Sequence, residues 1–194
     1  MADAESPAEL TEAELQAAER RRAALAHVRA FGDPILRSRA REVTEWGDEI
    51  RDQARKMAAL MHDSQGIGLA APQAGVANRV LVYRVLGDGP VRVLINPEFE
   101  WRGDEQEWME EGCLSLPAVH VDVKRPVDIR VRARDEDGQP VLVEASGLEA
   151  RVIQHEIDHL DGVLILDHAK RDQRKQAMKA MREALEEREA AAER

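Results

Sequence analysis

Five consecutive residues, His155-Glu156-Ile157-Asp158-His159, set two imidazoles four positions apart with a carboxylate between them. On a helix that spacing puts both rings on one face, one turn apart, close enough to share a metal ion. Glu156 then lies about 100° round the helix from His155, where it can reach a water beside the metal rather than the metal. On a polar, solvated helix such a pair of histidines would mean nothing. Here the stretch Ala150 to Leu160 is apolar on nearly every side, and His, Glu and Asp buried in it need partners. A hydrolytic metal site keeps three protein ligands and one open position, so a third ligand must come from elsewhere. Ile165 occupies the place of the third His in the extended His-Glu-x-x-His pattern. His168 comes three residues late, and Glu183 sits among charged neighbours in the tail. That leaves Cys113, the single cysteine, as a soft thiolate ligand within Glu110-Glu111-Gly112-Cys113-Leu114-Ser115. Gln154 and Asp158 flank the ligands. Asp158 either orients a ligating His through its second ring nitrogen or pairs with an arginine elsewhere.

The helix carrying the histidines is punctuated at both ends. Ser146 and Glu149 have capping-box spacing, and Gly162 follows the last turn as a C′ residue. It reads as the buried central helix of the fold. Strands are expected at Val80 to Val85 and Val91 to Ile95 around the turn Gly87-Asp88-Gly89, with an extended run at Glu111 to Leu116. Val127 to Ala133 alternates apolar and polar, and a turn at Asp135 to Gly138 leads into Val141-Leu142-Val143, completing a hairpin. Arg125, Arg130, Arg132 and Arg134 read as an exposed strand face. Ile50, Ala54, Met57 and Leu60-Met61 mark a helix from Asp48 to His62. The segment from Gly66 to Gln73 reads as a glycine-rich loop, without the Lys and Ser/Thr of a phosphate loop.

Both ends carry helical extensions. Thr11 and Glu14 form a capping box ahead of an Ala/Glu/Arg-rich helix with only a thin stripe of Leu15, Ala18 and Leu25. Lys170 to Arg194 forms a charged helix with the stripe Met178, Met181, Leu185. The expected fold is α+β: short antiparallel strands packed around a central metal-binding helix, with N- and C-terminal helical extensions. Its parts are an extension 1–27, a catalytic unit 28–168 and a charged helix 169–194.

Composition narrows the function. Aromatic residues are only 3% of the chain, so the core must be built from Val, Leu, Ile and Ala. A net charge of −10 argues against a DNA binder or generic nucleic-acid binder, which needs clustered positive charge. No apolar run approaches the roughly 18 residues of a membrane span, and the acidic N-terminus lacks the apolar region of a secretory signal. A lone cysteine fits a reducing, cytoplasmic setting.

Three segments resemble, in order, the three motifs of the peptide deformylase family. They are Gly66-Ile67-Gly68-Leu69-Ala70-Ala71-Pro72-Gln73, Glu111-Gly112-Cys113-Leu114-Ser115 and Gln154-His155-Glu156-Ile157-Asp158-His159-Leu160. The similarity runs from about Val28 to His168 and includes Gly32-Asp33-Pro34-Ile35-Leu36-Arg37. Ala118 departs from it, standing where many relatives have Gly, and the N-terminal extension is unusually long.

The resemblance implies removal of the formyl group from the formyl-methionine that begins nascent polypeptides, with release of formate. It implies one divalent metal, Fe²⁺ in the cell, with Zn²⁺, Ni²⁺ or Co²⁺ as replacements in purified protein. It assigns stabilisation of the oxyanion to the Gln73 amide and the Leu114 backbone N–H. The glycine-rich loop is either a tight turn or a segment that passes close to the peptide, with Ile67 and Gly68, and Gly112 of the cysteine motif, offering it backbone hydrogen bonds. An apolar pocket for methionine would use Ile67, Leu114 and Val152. Lys170, Arg171, Arg174, Lys175, Lys179 and Arg182 concentrate positive charge early in the last helix, ahead of Glu183, Glu186, Glu187 and Glu189. That segment is either a solvated helix laced with ion pairs or, as the resemblance suggests, a docking element for the ribosome. Two other functions remain for the same helix: an endopeptidase with a carboxylate or third His as ligand, and a silent binding protein keeping a structural metal.

Overall fold

Strands this short cannot stand alone, and a computed structural model brings five of them into one antiparallel sheet in the order β1-β2-β3-β6-β7. The structure describes residues 11–85, 87 and 89–192, so the first ten residues of the N-terminal extension and Asp88 of the expected turn lie outside it. The sheet comprises β1 (Gly68–Ala70), β2 (Val80–Tyr83), β3 (Arg92–Arg102), β6 (Asp128–Arg134) and β7 (Pro140–Ser146). A separate two-stranded ribbon pairs β4 (Gln106–Cys113) with β5 (Leu116–Pro126). The helices are α1 (Glu12–Leu25), α2 (Asp48–Asp63), α3 (Gly147–Leu160), the single turn α4 (Ile165–His168) and α5 (Arg171–Ala192).

The α3 helix is the hub. Ala150, Ile153, Ile157 and Leu160 pack on the sheet through Leu81, Tyr83, Val131, Ala133 and Val143. On the far side of the sheet's first strands, Ile50, Met57 and Met61 of α2 meet Leu69, Val80, Val82 and Ile95. The ribbon has its own apolar layer, in which Leu116, Val119, Val121 and Val123 pack with Leu164, Ile165 and Leu166 and with Ala177 and Met181 of α5. Met181 of the expected tail stripe is buried and Met178 packs at its edge, while the Leu185 side chain lies outside the described residues. No helix among the described residues is long and apolar enough to cross a membrane.

Several elements differ from the sequence pattern, each for a local reason. The run ending at Ile95 is the first half of β3: Asn96 adopts φ 51°, the register with β6 shifts there, and pairing resumes through Glu98 to Arg102. A left-handed residue followed by proline hides a strand that bulges and continues. The run Glu111 to Leu116 is not one strand but the end of β4, a turn and the start of β5. The β4 strand escapes pattern reading because all its residues from Gln106 to Glu110 are exposed. The glycine-rich segment contains β1, an edge strand of the sheet, followed by a 3₁₀ turn from Ala71 to Ala74.

At the start of α3, Ser146 makes no side-chain cap, so the expected capping box is absent. Glu149 instead accepts a 2.9 Å hydrogen bond from the Tyr83 hydroxyl, a tertiary partner the local spacing cannot reveal. The other end is as expected. Gly162 has φ 75°, its N–H donates to His159 O, and Val163 N–H donates to Asp158 O, the paired bonds of a Schellman stop. At α1 the Thr11–Glu14 capping box is present in full.

Candidate metal centre

The last turns of α3 project His155 and His159 towards the end of β4, where the chain turns at Leu114 and Ser115 and Cys113 faces the helix. Nε2 of His159 lies 3.3 Å from Cys113 Sγ. One donor atom from each of Cys113, His155 and His159 falls within 4.8 Å of the others, and the two rings meet edge to face at 4.9 Å. One thiolate and two imidazoles suit a borderline divalent metal. Burial pushes the Cys113 thiol up, but the imidazoles of His159 and His155 more than reverse this and bring it down to about 5. The sulfur is therefore a thiolate at neutral pH, the form a metal needs. Burial likewise lowers His155, yet the Cys113 thiolate and the Glu111 carboxylate overturn it and hold that ring well above the usual imidazole value. Positive charge is wanted at this spot, and a cation answers that demand.

Glu111 aims the first imidazole. Its Oε2 lies 2.9 Å from His155 Nδ1, and because a carboxylate only accepts, Nδ1 carries a proton and Nε2 is the atom where a metal would replace one. Glu111 is itself pinned. Arg125 donates to both its oxygens at 2.6 and 2.9 Å, and Arg151 of α3 donates to Oε1 at 2.8 Å. Burial raises the Glu111 carboxyl, but His155 and Arg125 outweigh it and hold it far below the usual carboxylate range.

This web overturns one expectation and decides another. Arg125 is not on an exposed face: it is 4% exposed, whereas Arg132 and Arg134 face solvent and Arg130 is half-buried. The signal was present in the alternation Val119, Val121, Val123, Arg125, whose period of two carries the arginine to the buried side of β5. Asp158 takes the arginine alternative, since Arg125 Nη1 donates to its Oδ2 at 2.8 Å and His168 Nε2 lies 2.8 Å from the same oxygen. Its orienting role belongs to Glu111, and the part played by Arg151 had no sign in the motif beyond its place one turn before His155. The rival third ligands are engaged elsewhere: His168 lies against Asp158, and Glu183 pairs with Lys179 on exposed α5.

Glu156 is buried beside Cys113, His155 and His159, and its Oε2 has no partner among the described residues. Burial raises its pKa, against the pull of the two imidazoles. A Cβ on Gly68 would come within 2.4 Å of Glu156 Oε1, so only glycine leaves room for this carboxylate. Gln73 is 2% exposed and held in one orientation. Its Oε1 accepts from Ala70 N–H at 2.9 Å, which turns the amide NH₂ towards Ser115 Oγ at 3.2 Å and Cys113 Sγ at 3.7 Å. Ile67, Gly68, Gln73, Gly112, Cys113, Leu114, Val152, His155 and Glu156 line one open cleft. Its volume of about 700 Å³ has room for a side chain and a short length of peptide. On the cleft's β1 side, the Ile67 carbonyl already accepts from Arg84 N–H. Alternation then turns the Gly68 N–H and C=O to the open edge and leaves Ile67 to offer its side chain. On the other rim Ala118 stands at φ 57°, a conformation suited to glycine.

Comparison with known proteins agrees with this geometry. The profile of the family "Polypeptide deformylase" matches residues 25–175. A peptide deformylase of Picosynechococcus sp. is 50% identical over 145 residues, 73% of this chain and 78% of that protein. One from Acidothermus cellulolyticus is 47% identical over 157 residues, 81% of this chain and 86% of that protein. The crystal structure of a peptide deformylase from Synechococcus elongatus, in complex with actinonin, superposes with a TM-score of 0.76 at 41% identity, covering 78% of this chain and 85% of that one.

Proposed function

Because this chain belongs to the polypeptide deformylase family, we propose that Cys113, His155 and His159 hold its metal while Glu156 moves the protons. The enzyme is a metal-dependent hydrolase that removes the formyl group from the N-terminal formyl-methionine of new polypeptides. When bound, the metal lowers the pKa of water and polarises the formyl oxygen. Glu156 takes the proton of the attacking water and passes it to the departing amine; its raised pKa and unpartnered oxygen suit both steps. As the formyl carbon becomes tetrahedral, negative charge gathers on its oxygen. The Gln73 NH₂ and the Leu114 backbone N–H donate to it, and the Ala70–Gln73 bond orients the amide before substrate arrives. The substrate chain lies along the free edge of β1, exchanging hydrogen bonds with Gly68 and reaching Gly112 opposite, while Ile67, Leu114 and Val152 contact the methionine side chain.

The observation that carries this reading is the thiolate 3.3 Å from a ligating imidazole, next to a buried, unpartnered Glu156. Formate release from formyl-Met-Ala tests it: activity should vanish with a chelator and return with Fe²⁺, Ni²⁺ or Co²⁺. Chelator-resistant release would end the metal reading. The metal in the cell is Fe²⁺, checked by metal analysis of protein purified without oxygen.

Residues 28–168 carry the catalysis, and 1–27 and 169–194 are appendages in the cytoplasm, where new chains emerge. The α5 helix docks on ribosomal RNA. Lys170, Arg171, Arg174, Lys175, Lys179 and Arg182 are exposed, and within α5 only Lys179 has an ion pair among the described residues. Removing α5 would strip Ala177 and Met181 from the core, so charge reversal at Arg171, Lys175 and Arg182 is the better test. It should abolish salt-sensitive co-sedimentation with ribosomes, and undiminished co-sedimentation would refute docking.

A further inference from the structure

The cleft has a wall that the three motifs do not supply. Arg21 and Leu25 of α1 line it beside Gln65, Gly66, Ile67 and Gly68. This helix has little reason of its own to be there, since Ala24 is its only buried residue and Leu15 is half exposed. The connection that follows it does the positioning. Arg29 N–H donates to Gln73 O at 2.7 Å and Phe31 N–H to Ser115 O at 2.9 Å, so the linker is tied to both segments flanking the metal ligands. The C-terminal end of α1 is thereby fixed at the mouth of the cleft.

The other charged side chains of the cleft have contacts of their own. Glu110 lies 3.6 Å from His120, and Glu111 is shared among Arg125, Arg151 and His155. Arg151 spends its remaining donors on Val123 O and Glu107 O. Glu156 is the buried proton carrier. Arg21 alone among the cleft's cations has neither an ion pair nor a hydrogen bond among the described residues. Its neighbours one turn away on α1, Ala17, Ala18, Ala24 and Leu25, carry no acid. On a chain of net charge −10, an exposed guanidinium facing a peptide channel is a local exception.

We infer that Arg21 is a specificity-determining residue, taking the carboxylate of an Asp or Glu side chain in the first residues after formyl-methionine. The inference rests on the deformylase reading and deepens it, because α1 becomes part of the substrate site.

The test compares formate release from formyl-Met-Glu-Ala-amide and formyl-Met-Ala-Glu-amide with that from their Lys counterparts, each as kcat/KM relative to formyl-Met-Ala-Ala-amide. In one of the two registers the wild-type enzyme should favour Glu over Lys by about three- to fivefold, the scale of an exposed ion pair. The preference should lie in KM and shrink as salt is raised through the range where exposed charges are screened. Arg21→Gln should bring the ratio to about one, and Arg21→Glu should invert it. A Glu/Lys ratio that is the same in all three enzymes overturns the inference while leaving the deformylase reading intact. Absence of formate from the neutral tripeptide with wild-type, metal-replete enzyme would bring down both.

Discussion

Arg125 on β5 of the ribbon and Arg132 on β6 of the sheet each pair with a glutamate: Arg125 with Glu111 at 2.6 Å and Arg132 with Glu98 at 2.8 Å. The similarity ends there. Both partners of the first pair are almost wholly buried and share their charge with Arg151, Asp158 and His155; both partners of the second are more than half exposed. Water and salt screen an exposed pair, and ordering two long side chains offsets most of the gain. In the buried web no water can replace a lost partner, so every charge depends on the others. The outer face of the sheet carries ion pairs open to solvent, Arg130 with Glu144 and Arg132 with Glu98. The inner web holds one imidazole nitrogen in place, and that is where the chemistry depends on it.

Substitutions can break this contrast or sharpen it. The largest effect should come from Glu156→Gln, which removes the proposed proton carrier and leaves Cys113, His155 and His159 in place. Turnover should fall by about 10²–10⁴-fold while metal content and fold are kept, and a metal-replete variant with near-normal kcat would sink the mechanism. Gln73→Ala should lower kcat by about 10²-fold with little change in KM; a rise confined to KM would make its amide a ground-state contact.

Glu111→Gln separates the two charged regions most directly. It strands Arg125 and Arg151 without their shared carboxylate, so urea unfolding should show a loss of about 3–5 kcal/mol. Metal competition should show affinity about 10–100-fold weaker, because His155 loses its orienting acceptor. Arg132→Ala, the matched change outside, should leave the unfolding midpoint and metal affinity where they were. Equal losses from the two would erase the distinction.

A smaller effect is expected at the rim. Ala118→Gly relieves a left-handed alanine that costs about 1–2 kcal/mol, and part of this is offset by the greater freedom of glycine in the unfolded chain. Thermal unfolding should rise slightly, by less than the Glu111 variant falls, and a drop would mean that the Ala118 methyl group is packed.

Much of the centre was legible in the motif spacing, and the physical reason is that helical spacing is local. Four residues make one turn wherever the helix sits, so His155 and His159 share a face and Glu156 stands beside them before any packing is known. The Schellman stop at Gly162 and the capping box at Thr11 were readable for the same reason. Alternation exposed most strands of the sheet but not β4 of the ribbon, whose residues from Gln106 to Glu110 are all exposed, Trp108 and Met109 among them, nor the second half of β3, hidden behind the turn of the chain at Asn96.

What stayed out of reach in the sequence was every choice of partner across elements. Whether Asp158 or Glu111 orients an imidazole depends on how the β4–β5 ribbon lies over α3. The inward position of Arg125 was legible in the alternation of β5, but its partners Glu111 and Asp158 were set only by that packing. Ser146 and Glu149 had the spacing of a cap, yet Glu149 went to Tyr83, because a buried hydroxyl far along the chain offered the better bond. The same holds for α1: its composition says helix, but only the backbone bonds of Arg29 and Phe31 bring Arg21 to the cleft. Local geometry selects the groups that can do the chemistry. Tertiary packing decides which of them lose water, and a charge that has lost water must take whichever partner the fold puts beside it.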